Sequence, residues 1–285
     1  RMSAMQGMQE KMLPQMFAGT KYATCFPIGT MDVVMNFKYQ TLRDYYEKWY
    51  RPDLQGIVVV GDIDVDAVEA KIKTMFADIP AQPDAAERIY YPVNDNKEPI
   101  IIIEQDKEQP HIQVLVFNKH DATPDDQKGN MGYLVQNYAT NLISSMLNAR
   151  LNELTQTANP PFIYAQAYDD DNFMIAKSKG AWTVAALAKE GEIDSILTTL
   201  VKETQRVKQY GFTPSEYERA RINVLKQYES AYNERNNQKN DAYVREYVNH
   251  FTNGGYIPGI EMEYTLLNQI AQNIPVEQVN QYIQD

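Results

Sequence analysis

The sequence is short of the residues that build self-contained chemistry. Cys25 is its single cysteine, which excludes an internal disulfide and a cysteine zinc cluster. It has three histidines, His111, His120 and His250. No two stand four apart, the spacing that sets two imidazoles on one helix face. Neither H-E-x-x-H nor H-x-x-E-H occurs, and each histidine reads as an ordinary surface or strand-end residue. There is no G-x-S-x-G nucleophile elbow and no G-x-x-x-x-G-K-[ST] phosphate loop. Val59-Val60-Gly61-Asp62 lacks the further glycines of a dinucleotide turn. No apolar run approaches the roughly 20 residues of a membrane-spanning helix. Basic charge is scarce too: 27 Lys and Arg stand against 38 Asp and Glu, a formal charge of −11. That balance argues against the basic face that nucleic-acid binding requires.

What is present is α/β punctuation in a chain of 285 residues, enough for one large or two ordinary domains. The opening Arg1-Met2 falls inside a helical pattern, so a segment of a longer protein is expected. Met5, Met8, Met12 and Leu13 give that helix, ending near Met16, a core-facing stripe. Thr41 can cap a helix Leu42–Tyr50 that Pro52 ends. Ile57–Val60, short and β-branched, suits a strand covered on both faces. Gly61 breaks it. Asp64 can cap a helix with Val65, Val68, Ile72, Met75 and Phe76 on one face, closed by Pro80. Residues 81–99, with Pro83, Pro92 and Pro99 among Asp84, Glu87, Asp95 and Lys97, read as a linker.

Beyond the linker, Ile100–Ile103 and Gln109–Asn118 read as strands. Asp126–Thr157 reads as the longest helix, with Leu134, Tyr138, Leu142, Met146 and Leu151 in one buried stripe, stopped by Asn159-Pro160-Pro161. Phe162–Tyr168 and Phe173–Leu187 read as strands around Asp169-Asp170-Asp171-Asn172. That acidic turn lacks the alternating ligands and distal glutamate of a calcium loop and fits a solvated hairpin. Ile193–Tyr210 is a helix stopped by Gly211, with Ile193, Ile196, Leu200, Thr204 and Val207 inward. Thr213-Pro214-Ser215-Glu216 is a capping-box start. It opens a helix to about Asn237 that buries Tyr217, Ala220, Val224, Tyr228 and Ala231. Asp241–Phe251 and Pro275–Asp285 complete the helical patterns.

The wording of the chain carries more. Pro27-Ile28-Gly29, Tyr45-Tyr46, Trp49-Tyr50-Arg51-Pro52 and Val58-Val59-Val60-Gly61-Asp62 resemble the pitrilysin/insulinase family of zinc peptidases. There the pattern is roughly P-x-G, F-Y, W-Y-x-P, V-V-G-D. Asp106-Lys107-Glu108-Gln109-Pro110, Leu147-Asn148-Ala149-Arg150-Leu151 and Pro161-Phe162-Ile163-Tyr164-Ala165 look like the second domain of one family half. The resemblance implies an α+β fold, an α/β sandwich with metallopeptidase-like (LuxS/MPP-like) layers of helices on mainly antiparallel mixed sheets. It implies that residues 1–80 are the back part of the N-terminal peptidase domain. Residues 81–99 then link it to a non-metal-binding domain over 100–285.

In this family zinc is held by an inverted H-x-x-E-H helix and a distal glutamate, and the motif glutamate activates water. The matching region would lie upstream of Arg1. Zinc is therefore expected in the parent protein, with no catalytic residue and no metal ligand in this segment. Two halves close around an unfolded peptide, which adds a strand to a sheet edge. In many members an Arg and a Tyr hold the substrate carbonyl. Tyr164 matches that Tyr as a substrate-binding candidate, but the Arg position falls near Thr155 or Gln156, so the pair is broken. The other reading of Tyr164 is a strand tyrosine under the long helix. The implied function is a segment of a zinc metalloendopeptidase that supplies scaffold and chamber wall. The alternative is a noncatalytic half or scaffold subunit that binds peptides or partner proteins. Expected partners are an unfolded polypeptide and the other half of the same protein or a partner subunit, with no nucleic acid and no membrane span. Family members suggest a bacterial periplasm or cell envelope.

The composition of residues 81–99 sets an expectation for limited proteolysis. The first cuts fall within this span. Early cuts confined to 159–171 would misplace the domain division.

Overall fold

The computed structural model describes residues 3–27, 29–188 and 193–284. Arg1, Met2, Ile28 of the Pro27-Ile28-Gly29 motif and Asp285 of the last helical pattern lie outside them. In chain order the helices are α1 (Ala4–Met16), α2 (Met31–Asn36), α3 (Tyr39–Trp49), α4 (Val65–Met75), α5 (Met131–Thr155), α6 (Ile193–Tyr210), α7 (Pro214–Asn233), α8 (Asn240–Asn253), α9 (Ile260–Asn273) and α10 (Val276–Tyr282). The strands are β1 (Ile112–Asp121), β2 (Tyr164–Asp170) and β3 (Lys179–Ala188). The chain divides into two compact units. One comprises Arg1–Thr24, Tyr90–Asn233 and Pro258–Asp285, the other Cys25–Ile89 and Glu234–Ile257. The class is α+β, as expected. The sheet among the described residues is purely antiparallel rather than mixed.

The first unit holds the core. Its sheet has the order β1-β3-β2. Val114 pairs with Ala186 and Val116 with Val184. Ala165 pairs with Ala186 and Ala167 with Val184. Alternation puts these residues on one face, and α5 covers it. Asn130 caps α5 by accepting from the Tyr133 N–H. Tyr138, Leu142, Met146 and Leu151 are buried in one cluster with Ala165, Ala167 and Val184, each large side chain worth roughly 2 kcal/mol. The inner row of α6 is Ile196, Leu200, Glu203 and Val207. Ile193, expected inside, is exposed, and a carboxylate takes an inward position. In α7 only Tyr217 and Ala220 of the expected stripe are fully buried.

Polar side chains fix the corners of this unit. Thr213 and Glu216 form the expected capping box. The Thr213 N–H donates to Glu216 Oε2 at 2.8 Å, and the Glu216 N–H donates to Thr213 Oγ1 at 3.3 Å. Arg150 of α5 binds the same carboxylate in a fork, Nε to Oε1 at 2.6 Å and Nη2 to Oε2 at 3.0 Å. Its Nη2 also donates to the Gly211 carbonyl at 3.1 Å, and its guanidinium lies 4.7 Å from the Phe212 ring. Gly211 has φ +66, the left-handed conformation that ends α6 and that glycine accepts without strain. The Leu147–Leu151 motif thus fastens α5 to the turn between α6 and α7.

The second unit is built differently. Thr30 caps α2 and Asp64 caps α4 through their side-chain oxygens. Yet no apolar side chain among its described residues is fully buried. Its buried side chain is Arg51, which donates to Asp53 at 2.9 Å, to the Lys48 carbonyl at 2.9 Å and to the Ala86 carbonyl at 2.6 Å. That ties the end of α3 to the segment around residue 86.

Several expected elements are corrected. Ile57–Val60 is not a covered strand: it has no ladder partner among the described residues, and Ile57 is 54 % exposed. Ile100–Ile103 also lacks a ladder, with Ile101 80 % exposed. A β-branched run specifies extended backbone, but a strand needs a neighbour. Helix α3 starts at Tyr39 after Lys38, so Thr41 lies inside it and caps nothing. The helix expected from Asp126 starts at Met131, because Asp125–Gln127 forms a short 3-10 turn. Phe173 belongs to a tight turn with Ala176 rather than to β3. Val65 and Met75 of α4, and Phe76 just after it, are exposed. Helix α7 ends at Asn233, and α9, without a strong start signal, precedes α10.

The Arg150–Glu216 fork has side chains only 12 % and 17 % exposed. Arg150→Met strands the carboxylate in a mostly buried site. Urea unfolding followed by circular dichroism is expected to show a loss of about 3 kcal/mol. A change under about 0.5 kcal/mol, the size of an exposed pair, would show that the fork contributes little.

Candidate functional site

The sheet face away from α5 carries Tyr164. Tyr164 pairs with Leu187, and Leu187 pairs with Gln113. The next row is Gln166, Ala185 and Leu115, and the next Tyr168, Thr183 and Phe117. At the Phe117 end this face is covered. Phe173 meets Phe117 at 5.5 Å, and Phe17 meets Phe173 at 5.3 Å. At the Tyr164 end it is open: Tyr164 is 55 % exposed and Leu115 42 %. The Tyr164 hydroxyl donates to Gln166 Oε1 at 2.9 Å. It therefore does not pack under the long helix, whose side of β2 is taken by Ala165 and Ala167. Thr155 and Gln156 terminate α5 and hydrogen-bond locally. Thr155 Oγ1 donates to the Asn152 carbonyl, and Gln156 Nε2 donates to Thr155 Oγ1.

The other end of the sheet gathers charge. Lys179 Nζ, mostly buried, donates to Asp121 at 2.6 Å and to Asp95 at 2.8 Å. Lys119 Nζ donates to the Asn94 carbonyl at 2.7 Å. These bonds pin the segment around residue 95 to the sheet. Beside them, His120 Nε2 lies 2.8 Å from Asp169 Oδ1, and Nδ1 lies 3.0 Å from the Asp121 carbonyl oxygen. Both partners only accept, so both ring nitrogens carry protons. The Asp169 carboxylate chiefly, against the desolvation of the ring, lifts the His120 pKa to about 9. Asp171 adds to the same effect. Gly180 on the central strand leaves room for the ring, because a Cβ there would collide with His120 Cε1. Nothing in the sequence points directly to this pair, whose members stand 49 positions apart. A glycine inside a strand is the available hint of a close approach.

These residues do not fit the zinc that the family resemblance implies. A ligating imidazole offers a lone pair, and His120 has both nitrogens engaged as donors. His111 precedes the start of β1 and His120 lies near its end, about 30 Å apart in an extended chain. His250 of α8 is held through Nδ1 against the Gly255 carbonyl. Among the described residues no group of three or more His, Cys, Asp or Glu is arranged to hold a metal ion. No described helix is long and apolar enough to cross a membrane.

Comparison with known proteins fits this architecture. The model of the peptidase M16 inactive domain matches residues 36–224. A protein of Arabidopsis thaliana described as zinc protease PQQL-like is 27% identical over 280 residues, 96% of this chain and 25% of that protein. The probable zinc protease PqqL of Escherichia coli is 25% identical over 203 residues, 71% of this chain and 21% of that protein. The chain thus spans a quarter or less of the length of these curated relatives. Among solved structures, the first half of the periplasmic protease PqqL from Escherichia coli superposes with TM-score 0.85 at 20% identity, covering 100% of this chain and 59% of that one. A mutant of the ferredoxin protease FusC in complex with Arabidopsis ferredoxin gives TM-score 0.68 at 17% identity, covering 99% and 31%. At these identities the superpositions establish the fold.

The His120 clip makes stability depend on pH in a defined direction. Its folded pKa of about 9 stands above the ordinary value near 6.5. Its contribution is therefore whole below pH 6.5 and is lost as pH rises through 9. Thermal unfolding of the wild type and His120→Gln should differ most at pH 6 and converge by pH 9.5. A gap that widens as pH rises would reverse the assignment of a charged ring.

Proposed function

The chain belongs to the peptidase M16 family, and on that premise we propose that it is a structural segment of a zinc-dependent metalloendopeptidase. The observation that carries this reading is the match to the family's inactive domain across residues 36–224. The segment supplies scaffold and chamber wall, and the zinc and its activating glutamate belong to another part of the parent protein. In this reading residues 1–80 are the back of the metal-binding domain, 81–99 the linker and 100–285 the non-metal-binding domain, with the inactive-domain match beginning at residue 36 and running across the linker to residue 224. The substrate is an unfolded peptide or polypeptide enclosed between two halves. Tyr164, with its hydroxyl on the open sheet face, is the residue of this segment that touches it. A protease of similar fold is known in complex with ferredoxin, which supports a polypeptide substrate in kind. PqqL is described as periplasmic, which supports placement in a bacterial periplasm or cell envelope.

The second unit supports the same reading through its surface. Met31, Met35, Leu42, Tyr46, Ile57 and Val59 are all exposed. An ordering cost of about 1–2 kcal/mol per residue is not met without apolar burial. Further polypeptide, from the rest of the parent protein or from a partner subunit, covers these side chains.

Metal analysis and a quenched fluorogenic peptide assay test the proposal. The 285-residue chain, dialysed after exposure to zinc, is expected to retain well under one zinc per chain and to cleave nothing. The full-length parent is expected to cleave in a chelator-sensitive way. One tightly held zinc per chain, with chelator-sensitive cleavage by the chain alone, would overturn the division of labour. An inert full-length parent would favour the noncatalytic scaffold.

A further inference from the structure

The stretch that reads as a linker is held at both ends. Toward its start, Gln82 Nε2 donates to the Glu47 carbonyl at 3.0 Å, and Arg51 donates to the Ala86 carbonyl at 2.6 Å. Further on, side chains of the first unit reach Tyr91–Asp95. Ser178 Oγ donates to the Tyr91 carbonyl at 2.7 Å, and Lys21 Nζ donates to the Tyr91 hydroxyl at 2.8 Å. Lys119 Nζ donates to the Asn94 carbonyl, and Lys179 Nζ donates to Asp95. Tyr91–Asp95 forms no helix or strand of its own. Yet Val93 is fully buried, the one such residue between Arg51 and Lys128. We propose that Tyr91–Asp95 is a strap that docks on the charged end of the sheet and undocks as a unit while the α5 core stays folded, with the Lys179–Asp95 bond as its latch.

The hold on the strap is mainly polar. Tyr91, Asn94 and Asp95 are exposed, so water replaces their partners on release at little net cost. Lys179, mostly buried, is shared between Asp95 of the strap and Asp121 of β1. When the strap leaves, Asp121 keeps the ammonium paired, and no buried charge is stranded. Val93 is a single apolar grip, against the row of Tyr138, Leu142, Met146 and Leu151 that holds α5. Segments with few buried apolar contacts open well below global unfolding. Release lengthens the connection that leaves Ala86. Docked, it runs over residues 87–90 to Tyr91. Undocked, it runs on toward Glu104, the next hydrogen-bonded anchor among the described residues, which accepts from Gln15 of α1 at 3.3 Å. Each residue released adds up to about 3.3 Å of reach. The inference rests on these contacts and stands whether or not the parent protein is a peptidase.

The competing account is that the strap is a fixed part of the first unit and opens only when that unit unfolds. Thiol labelling separates the two. The full chain carries Cys25→Ser, which removes the exposed native thiol, and Val93→Cys, and a small maleimide is the probe. Labelling is followed in urea kept below the unfolding transition. Undocking exposes little surface, so the rate is expected to stay within about twofold across that range, whereas global unfolding depends steeply on urea. Adding Asp95→Ala is expected to speed labelling about fivefold. A rate that climbs with urea as steeply as unfolding followed by circular dichroism would overturn the proposal. So would an Asp95→Ala chain that labels no faster. Should Val93→Cys fail to fold, chymotrypsin nicking after Tyr91 reads the same opening in chains with the native valine. Nicking is expected to be faster in Asp95→Ala, and equal rates would also overturn it.

Discussion

The packing of α5 on the sheet is the interaction on which the rest of the first unit depends. Tyr138, Leu142, Met146 and Leu151 set its depth, but burial alone is non-directional and would tolerate sliding. Direction comes from two polar residues of one turn. Asn148 fixes α5 to the backbone of β2, and Arg150 fixes it to the start of α7 through Glu216. The carboxylate of Glu216 sits at about pKa 2, held down chiefly by Arg150. It stays ionised across the physiological range, so the fork persists wherever the protein works. Apolar contact supplies the energy, and these hydrogen bonds select one register from many of similar depth.

The second unit shows what happens without such a core. Two of its helices have capped starts: a threonine on α2 and an aspartate on α4. Caps satisfy orphan donors but add only about 1 kcal/mol each. Arg51 binds three carbonyl or carboxylate groups and organises the end of α3, yet hydrogen bonds do not replace buried area. A unit with ordered caps, a buried guanidinium and exposed methionines and tyrosines has local order without a fully buried apolar side chain among its described residues. The same holds for Ile57–Val60, whose β-branched side chains favour extended backbone without a ladder partner among the described residues.

This contrast explains which parts of the structure were legible in the sequence. Helical stripes were legible because period and burial agree: Tyr138, Leu142, Met146 and Leu151 of α5 follow from spacing alone, while the equally buried Ala139 and Leu147 flank that stripe. The box at Thr213 and Glu216 was legible because capping is local. Strand pairing was not, since Ile100–Ile103 and Gln109–Asn118 look alike as runs while only the second overlaps a ladder. Helix α9 was missed because Gly259 gives it no side-chain cap. The charged end of the sheet was missed because His120 and Asp169 are brought together by register, which a one-residue slip would undo. Asn148 was visible as part of a motif but not as a bond to β2, because nothing in its neighbours fixes where an amide points.

The histidines illustrate how local geometry decides chemistry that residue type leaves open. A count of three is compatible with a zinc site, and in the family a pair of imidazoles does that work. In this chain His120 is committed elsewhere. With an acceptor at each nitrogen it is a cation that ties Asp169 to the end of β1 across Gly180. Its charge offsets part of the acidic stretch at the end of β2, where Asp169, Asp170 and Asp171 would otherwise repel one another close to Asp121. The sheet end is therefore an electrostatic joint, with Lys179 performing the same service for Asp95 and Asp121. A strand end that collects this many carboxylates holds together because His120 and Lys179 are each shared between two acceptors. That sharing leaves no imidazole lone pair there for a metal.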